Sequence, residues 1–129
     1  MHRFSLRVYY EDTDLAGIVY YANYLKFIER GRSEWVRGLG VDQARLRAEA
    51  GMVFAVRRVE GDYLAPARFD DVLEVRTTLR ALTGARIELA QDVWRGEQRL
   101  FAGLVGLVAL RDDGRPGRIP AQVRAALLR

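Results

Sequence analysis

Hydrophobic and polar positions change period several times along the chain, and each change marks an element. Phe4, Leu6, Val8 and Tyr10 alternate with Arg3, Ser5, Arg7 and Tyr9, the period-two pattern of a half-buried strand. From Tyr24 the period lengthens. Tyr24, Leu25, Ile28, Trp35, Val36 and Leu39 share a helical stripe, with Lys26, Glu29, Arg30 and Glu34 largely off it. Asn23 is the expected N-cap and Gly38 or Gly40 the expected stop. Asn23 to Gly38 then spans about 24 Å at 1.5 Å per residue. Gly31 falls on the apolar face, where it permits a close approach to a sheet. A second short helix is expected over Val41 to Ala50.

The rest reads mostly as strands. Val53 to Leu64 is the first, closed by Ala65-Pro66-Ala67. In Val72 to Leu82, the side chains of Leu73, Val75, Thr77 and Leu79 share one face, and Thr83-Gly84 signals a turn. Arg86 to Trp94 alternates again, with Ile87, Leu89, Gln91 and Val93 together, before the turn Arg95-Gly96. Gln98 to Leu110 is apolar enough for a central strand. A loop at Asp112 to Gly117 precedes a closing helix at Ala121 to Leu128. One strand, a long helix and four strands joined by short turns make an α+β pattern, in which five antiparallel strands wrap around the helix.

Composition narrows the chemistry. A chain of 129 residues, 50% hydrophobic and 29% charged, suits a single domain over 1–129 with its own core. There is no cysteine, His2 is the only histidine, and the only serines are Ser5 and Ser33. A thiolate nucleophile, a disulfide framework and a Ser-His-Asp triad therefore lack their residues. No metal site is expected, because zinc chemistry draws on His and Cys. The net charge of +4 is almost wholly arginine, since Lys26 is the only lysine. Scattered arginine suits a phosphorylated small molecule or a solvated surface. No basic block or zinc-finger spacing argues for nucleic acid. The start lacks a signal-peptide pattern, and Leu100 to Leu110 is shorter than the roughly 20 residues of a membrane-spanning helix. A cytoplasmic protein is expected.

Chemistry concentrates where the first strand meets the long helix, at Tyr10-Glu11-Asp12-Thr13-Asp14-Leu15-Ala16-Gly17-Ile18-Val19-Tyr20-Tyr21-Ala22-Asn23-Tyr24. Three carboxylates and a glycine turn precede a helix start, whose first N–H groups have no intrahelical acceptor. A carboxylate beside free N–H donors supplies two parts of an acyl-transfer site. A plain polar connection is the alternative, because Asp favours turns. Asp12 to Gly17 also begins like a calcium loop. Ala16 stands at its fifth position, however, and Asn23 at the twelfth, where a bidentate glutamate is needed.

The same residues resemble the signature of the hotdog-fold acyl-CoA thioesterases of the 4-hydroxybenzoyl-CoA thioesterase family, especially the branch associated with the Tol–Pal cell-envelope system. The likeness continues through Phe27, Glu29-Arg30, Arg32 and Glu34-Trp35, and resumes from Asp62-Tyr63-Leu64-Ala65-Pro66 to Asp70-Asp71-Val72-Leu73. The resemblance implies a hotdog fold, a five-stranded antiparallel sheet around one long helix. It makes Asp14 the catalytic carboxylate and the Tyr21 backbone N–H the group that polarises the thioester carbonyl. Asp14 either attacks or activates water. Members of the Tol–Pal branch often carry histidine where this chain has Tyr21, whereas the 4-hydroxybenzoyl-CoA enzyme is similar in having tyrosine.

By the same resemblance, Gly17, Val19, Tyr20 and Tyr24 contact substrate, with Phe27 a further candidate for the acyl pocket. The loop Thr83-Gly84-Ala85-Arg86 contacts the nucleotide end of coenzyme A, with Arg57, Arg58 and Arg80 as further candidates. The implied partners are an acyl-CoA substrate and a second copy of the chain in a homodimer or homotetramer. Active sites then lie at the subunit boundary, and Leu100 to Leu110 offers apolar surface for burial. No cofactor is implied, because coenzyme A is part of the substrate. The rival functions are a hotdog hydratase or dehydratase, for which His2 is poorly placed, and a non-catalytic acyl-CoA-binding or scaffold protein.

Overall fold

The computed structural model describes residues 1–129 as five strands and three helices. They are β1 (His2–Arg7), α1 (Asn23–Gly38), α2 (Gln43–Ala50), β2 (Met52–Tyr63), β3 (Val72–Leu82), β4 (Arg86–Arg95), β5 (Gln98–Arg111) and α3 (Ala121–Leu127). The strands form one sheet in the order β1-β3-β4-β5-β2, and every pairing is antiparallel. β4 is the middle strand and β5 has a neighbour on each side. The free edges belong to β1 and β2. In β5, Leu100, Phe101, Val105, Leu107 and Ala109 are buried in the core and Leu104 is exposed; β2 is the longer of the two free edges.

α1 lies across β1, β3 and β4 and buries Tyr24, Phe27, Ile28, Gly31 and Val36. On the sheet, Leu73, Val75, Thr77, Ile87, Leu89, Gln91 and Val93 are buried, the two alternating sets predicted from sequence apart from Leu79, which is half-buried. Thr77 and Gln91 are the polar members. The Gln91 amide donates to the Ile28 carbonyl at 2.8 Å and the Thr77 hydroxyl at 2.9 Å, and accepts from Arg32 at 3.3 Å. These bonds satisfy a buried amide and fix where α1 sits along the sheet. Bulges leave Arg57 unpaired in β2 and Arg80 unpaired in β3, and such extra residues bend strands and increase twist. The sheet therefore curls around the helix.

Gly31 does what its place on the stripe predicts. A Cβ built there would lie 2.5 Å from Val75 Cγ1, so α1 rests on β3 at glycine distance. Gly31→Ala is expected to cost about 1–3 kcal/mol through overpacking, despite the better helix propensity of alanine. Denaturant unfolding checks this; a gain in stability would show that the two elements can separate freely.

Two local expectations change. β1 ends at Arg7, and Tyr10–Asp12 form a single 3-10 turn, because Asp12 turns back and accepts the Tyr9 N–H at 2.8 Å. Asn23 is the first residue of α1 and not its cap. Its side chain donates to the Asp12 carbonyl at 2.9 Å instead. Asp42 does cap α2, accepting from Arg45 N–H at 3.0 Å. No helix is long and apolar enough to cross a membrane.

Candidate active site at the start of the long helix

Asp14 opens a tight turn. Its carbonyl accepts the Gly17 N–H at 2.9 Å and its carboxylate accepts the Ala16 N–H at 2.9 Å. Gly17 takes φ +80°, a left-handed conformation that glycine adopts without steric cost. The turn closes a small hairpin in which Thr13 pairs with Val19, and Asp14 N–H reaches the Ile18 carbonyl at 2.9 Å. Ile18 then bridges to Arg68, and Val19 N–H to the Ala67 carbonyl at 2.8 Å. One oxygen of Asp14 is thus steadied by backbone, while the side chain stays half-exposed.

The other two acids separate from it. Asp12 is structural: its carboxylate turns onto Tyr9, and its carbonyl accepts both the Tyr20 N–H and the Asn23 amide, each at 2.9 Å. Glu11 is exposed. The Asp12 carbonyl is therefore the tie between the acidic turn and the start of α1, and it fixes Asp14 relative to the helix.

At that start the chain turns tightly. Asn23 N–H donates to the Tyr20 carbonyl at 2.8 Å, Leu25 N–H to the Ala22 carbonyl at 3.1 Å, and Tyr24 N–H to the Tyr21 carbonyl at 3.4 Å. The N–H groups of Tyr21 and Ala22 find no acceptor in the chain. N–H and C=O of one trans peptide unit point in opposite directions. Because the Tyr20 carbonyl points along the helix to Asn23, the Tyr21 N–H points out of its beginning. The Tyr63 hydroxyl, at the end of β2, donates to the Tyr21 carbonyl at 2.9 Å.

Aromatic rings surround this point. Tyr20 and Tyr21 lie 4.9 Å apart, centroid to centroid, and both are exposed. The Tyr21 hydroxyl beside it pushes the Tyr20 phenol above its ordinary range; burial and then the Asp14 carboxylate add to the effect. Tyr20, Tyr21 and Asp14 therefore share one electrostatic neighbourhood. Tyr24 and Phe27 belong to the core, at 3% and 0% exposure. The Tyr24 ring stacks on Phe101 at 5.3 Å, and its hydroxyl accepts the Ala67 N–H at 3.3 Å. Val19 is likewise buried. Of the predicted substrate contacts, Gly17 and Tyr20 are open to solvent and Val19 and Tyr24 back the site from within.

The loop that supports Val19 is itself pinned. Asp71 accepts from Arg68 N–H at 2.8 Å and from the Arg95 guanidinium at 2.7 Å. Burial opposes ionisation of Asp71, but these two donors outweigh it and hold the carboxyl below the usual range.

Thr83-Gly84-Ala85-Arg86 lies elsewhere. It forms the β3–β4 turn, ten residues along β3 from the Asp14 end, or about 33 Å at 3.3 Å per residue. Arg86 N–H donates to the Thr83 hydroxyl at 3.1 Å, and the Ile119 N–H and Arg124 bind the Gly84 carbonyl at 2.8 and 3.3 Å. A groove of about 350 Å³ on the sheet brings Thr83 and Arg86 together with Arg57 and Arg58, beside Glu60 and Glu88. Arg80 lines a different depression, with Asp62 and Asp92. One chain therefore places the candidate carboxylate and the candidate nucleotide groove at opposite ends of the sheet. No group of three or more His, Cys, Asp or Glu side chains is arranged to hold a metal ion.

The model of the thioesterase superfamily matches residues 16–102. This chain belongs to that superfamily. The matched span begins two residues after Asp14 and takes in α1 with most of the sheet. The chain is 41% identical over 125 residues to the acyl-CoA thioesterase YbgC of Haemophilus influenzae, covering 95% of this chain and 91% of the relative. It is 37% identical over 127 residues to the acyl-CoA thioester hydrolase YbgC of Escherichia coli, covering 97% and 94%. A probable thioesterase from Bartonella henselae superposes with a TM-score of 0.89 at 38% identity, over 92% of this chain and 98% of that one. The fold is the hotdog fold, as the sequence resemblance implied, and the protein is a thioester hydrolase.

Two contributors to the candidate site are not legible in the sequence. The role of the Asn23 side chain as a tie to Asp12 was hidden by its equal suitability as a cap. Tyr63 carried only its place in the strand Val53 to Leu64 and in the resemblance, neither of which reveals a hydroxyl reaching a carbonyl 42 residues away.

Proposed function

We propose that this thioesterase hydrolyses acyl-CoA thioesters at the start of α1, with Asp14 as the reacting carboxylate and the Tyr21 N–H as the donor to the carbonyl oxygen. The observation that carries the reading is the unsatisfied Tyr21 N–H, directed out of the helix start that the Asp12 carbonyl ties to the Asp14 turn. The positive end of α1 favours charge forming on the thioester oxygen. By one route an Asp14 oxygen bonds to the acyl carbon, the C–S bond breaks, and water then hydrolyses the anhydride. By the other Asp14 takes a proton from water, hydroxide adds to the acyl carbon, and the departing thiolate takes the proton. Gly17, Val19, Tyr20 and Tyr24 shape the acyl end. No cofactor beyond the substrate's own coenzyme A takes part in either route. The relatives named as acyl-CoA thioesterases support the substrate class, and a cytoplasmic place follows from that substrate.

The complete site is a dimer's. Antiparallel pairing of two β2 edges brings the partner's far end alongside this protomer's Asp14 end. The groove of Arg57, Arg58, Thr83 and Arg86 then serves the neighbouring carboxylate, with arginines meeting the nucleotide phosphates. A panel of aliphatic and aromatic acyl-CoA thioesters, with an enoyl-CoA control, tests the reaction. Release of free coenzyme A supports hydrolysis; hydration of the enoyl substrate, or binding without turnover, overturns it. Mixing Asp14→Asn and Arg86→Ala subunits tests the assembly. Each heterodimer regains one site with both groups intact, so activity at low substrate should rise above that of either variant alone. No gain, or a monomer by light scattering, contradicts the shared site.

A further inference from the structure

We infer that Tyr63 is a positioning residue for hydrolysis, whose hydroxyl holds the Tyr21 carbonyl and so aims and strengthens the free Ala22 N–H beside that of Tyr21 at the start of α1. The inference rests on the proposed reaction at Asp14. The Tyr21 carbonyl has two donors, Tyr24 N–H at 3.4 Å and the Tyr63 hydroxyl at 2.9 Å. The first is too long to hold it well, so the phenol is the effective partner.

Two consequences follow from where this bond falls. The peptide unit before Tyr21 is held by Asn23 N–H on the Tyr20 carbonyl, and the unit after it by Tyr63. The Tyr21 N–H lies in the first plane and the Ala22 N–H in the second, so Asn23 directs the one, Tyr63 directs the other, and the trapped torsions of Tyr21 fix how the two donors sit relative to each other. The unit that Tyr63 grips also carries the Ala22 N–H, the second donor without an acceptor. Donation to a carbonyl polarises its peptide unit and makes the N–H at the other end a stronger donor. The helix start then presents two free donors, and Tyr63 both aims and strengthens the second.

The Tyr63 ring is held for this task. It meets Tyr24 edge-on at 5.3 Å and Phe101 at 5.1 Å. Gly61 leaves room for the Phe101 ring, since a Cβ there would lie 2.6 Å from it. Burial, and then the neighbouring Tyr21, push the Tyr63 phenol above its ordinary range, so it remains a donor throughout neutral pH. Tyr63 is nonetheless 50% exposed. Tyr21 is 62% exposed as well, so burial alone does not call for a phenol there.

Tyr63→Phe removes the hydroxyl and keeps the ring. We expect kcat to fall about tenfold, KM to stay within about twofold, and the melting temperature to hold, because a donor that matters only as charge develops lowers kcat selectively. The Ala22 amide proton should move upfield in the NMR spectrum of the labelled variant. Unchanged kcat, an unmoved Ala22 resonance, or a loss confined to KM would overturn the positioning role. Tyr63→Leu, which also removes the ring, should lose stability in addition to the same kcat. Asp14→Asn is run in the same assay. Normal hydrolysis by that variant removes the reaction assignment itself. An inactive Asp14→Asn beside a Tyr63→Phe enzyme of normal turnover removes only the role of Tyr63.

Discussion

Asp14→Asn is expected to lower turnover by at least about 100-fold, the scale of a positioned acid–base group, while leaving the fold intact. The substitution is nearly isosteric, and its amide oxygen still accepts the Ala16 N–H now held at 2.9 Å by the carboxylate. The turn through Gly17, the Thr13–Val19 pairing and the tie from Asp12 to Asn23 involve backbone or other side chains. What asparagine lacks is a negative oxygen that attacks or accepts a proton. The loss should therefore fall on kcat with KM little changed, and thermal unfolding should match wild type. Hydrolysis near the wild-type rate would eliminate Asp14 as the reacting group. Single turnover in isotopically labelled water probes the route in the wild-type enzyme: label entering the Asp14 peptide reports an anhydride opened at the Asp14 carboxyl carbon, whereas label confined to the product acid reports attack of water at the acyl carbon.

The second large effect concerns an atom of the backbone. Replacing the Tyr20–Tyr21 amide by an ester, with the tyrosine side chain retained, deletes only the Tyr21 N–H. If that donor stabilises the forming oxyanion, kcat should fall about 100- to 1,000-fold, the scale seen when one such donor is removed. Inside the chain this N–H has no acceptor, so its loss breaks no internal hydrogen bond. An ester carbonyl accepts more weakly, and the Asn23 N–H bond to Tyr20 should lose about 1 kcal/mol or less. A small drop in melting temperature beside a large drop in kcat is the expected signature. Tyr21→Phe and Tyr21→His keep the N–H and should retain most turnover. If the side-chain variants fail and the ester survives, the phenol and not the backbone is the working group.

The candidate site is legible in the sequence in part, chiefly through the motif that resembles the thioesterase signature. The absence of cysteine and the isolation of His2 remove most nucleophiles, which leaves carboxylates, and the glycine turn before an amphipathic helix puts one carboxylate beside free donors. The resemblance singles out Asp14 and leaves Glu11 and Asp12 as positioning or surface residues, but not the contacts that each makes. Asp12 and Asp14 differ by two positions in sequence, but one folds back onto Tyr9 and carries a carbonyl tie while the other stays open. Asn23 shows the same limit. Its composition suits a cap, and only the nearness of Asp12 makes the side chain a strut. Tyr63 and the β3–β4 turn are further cases, because their meaning depends on which ends of strands lie together.

Local periodicity, with glycine at Gly17 and Gly31, already marks out the elements and most of the buried faces. The reaction class is legible through the resemblance of the motif around Asp14 to the thioesterase signature, because the residues alone leave a plain polar turn open. Tertiary structure decided the free edge, the opposite placement of Asp14 and the Thr83–Arg86 turn, and the grip of Tyr63 on Tyr21. Strand order and long-range hydrogen bonds are set by how the sheet closes around α1, and no window of neighbouring residues contains that information.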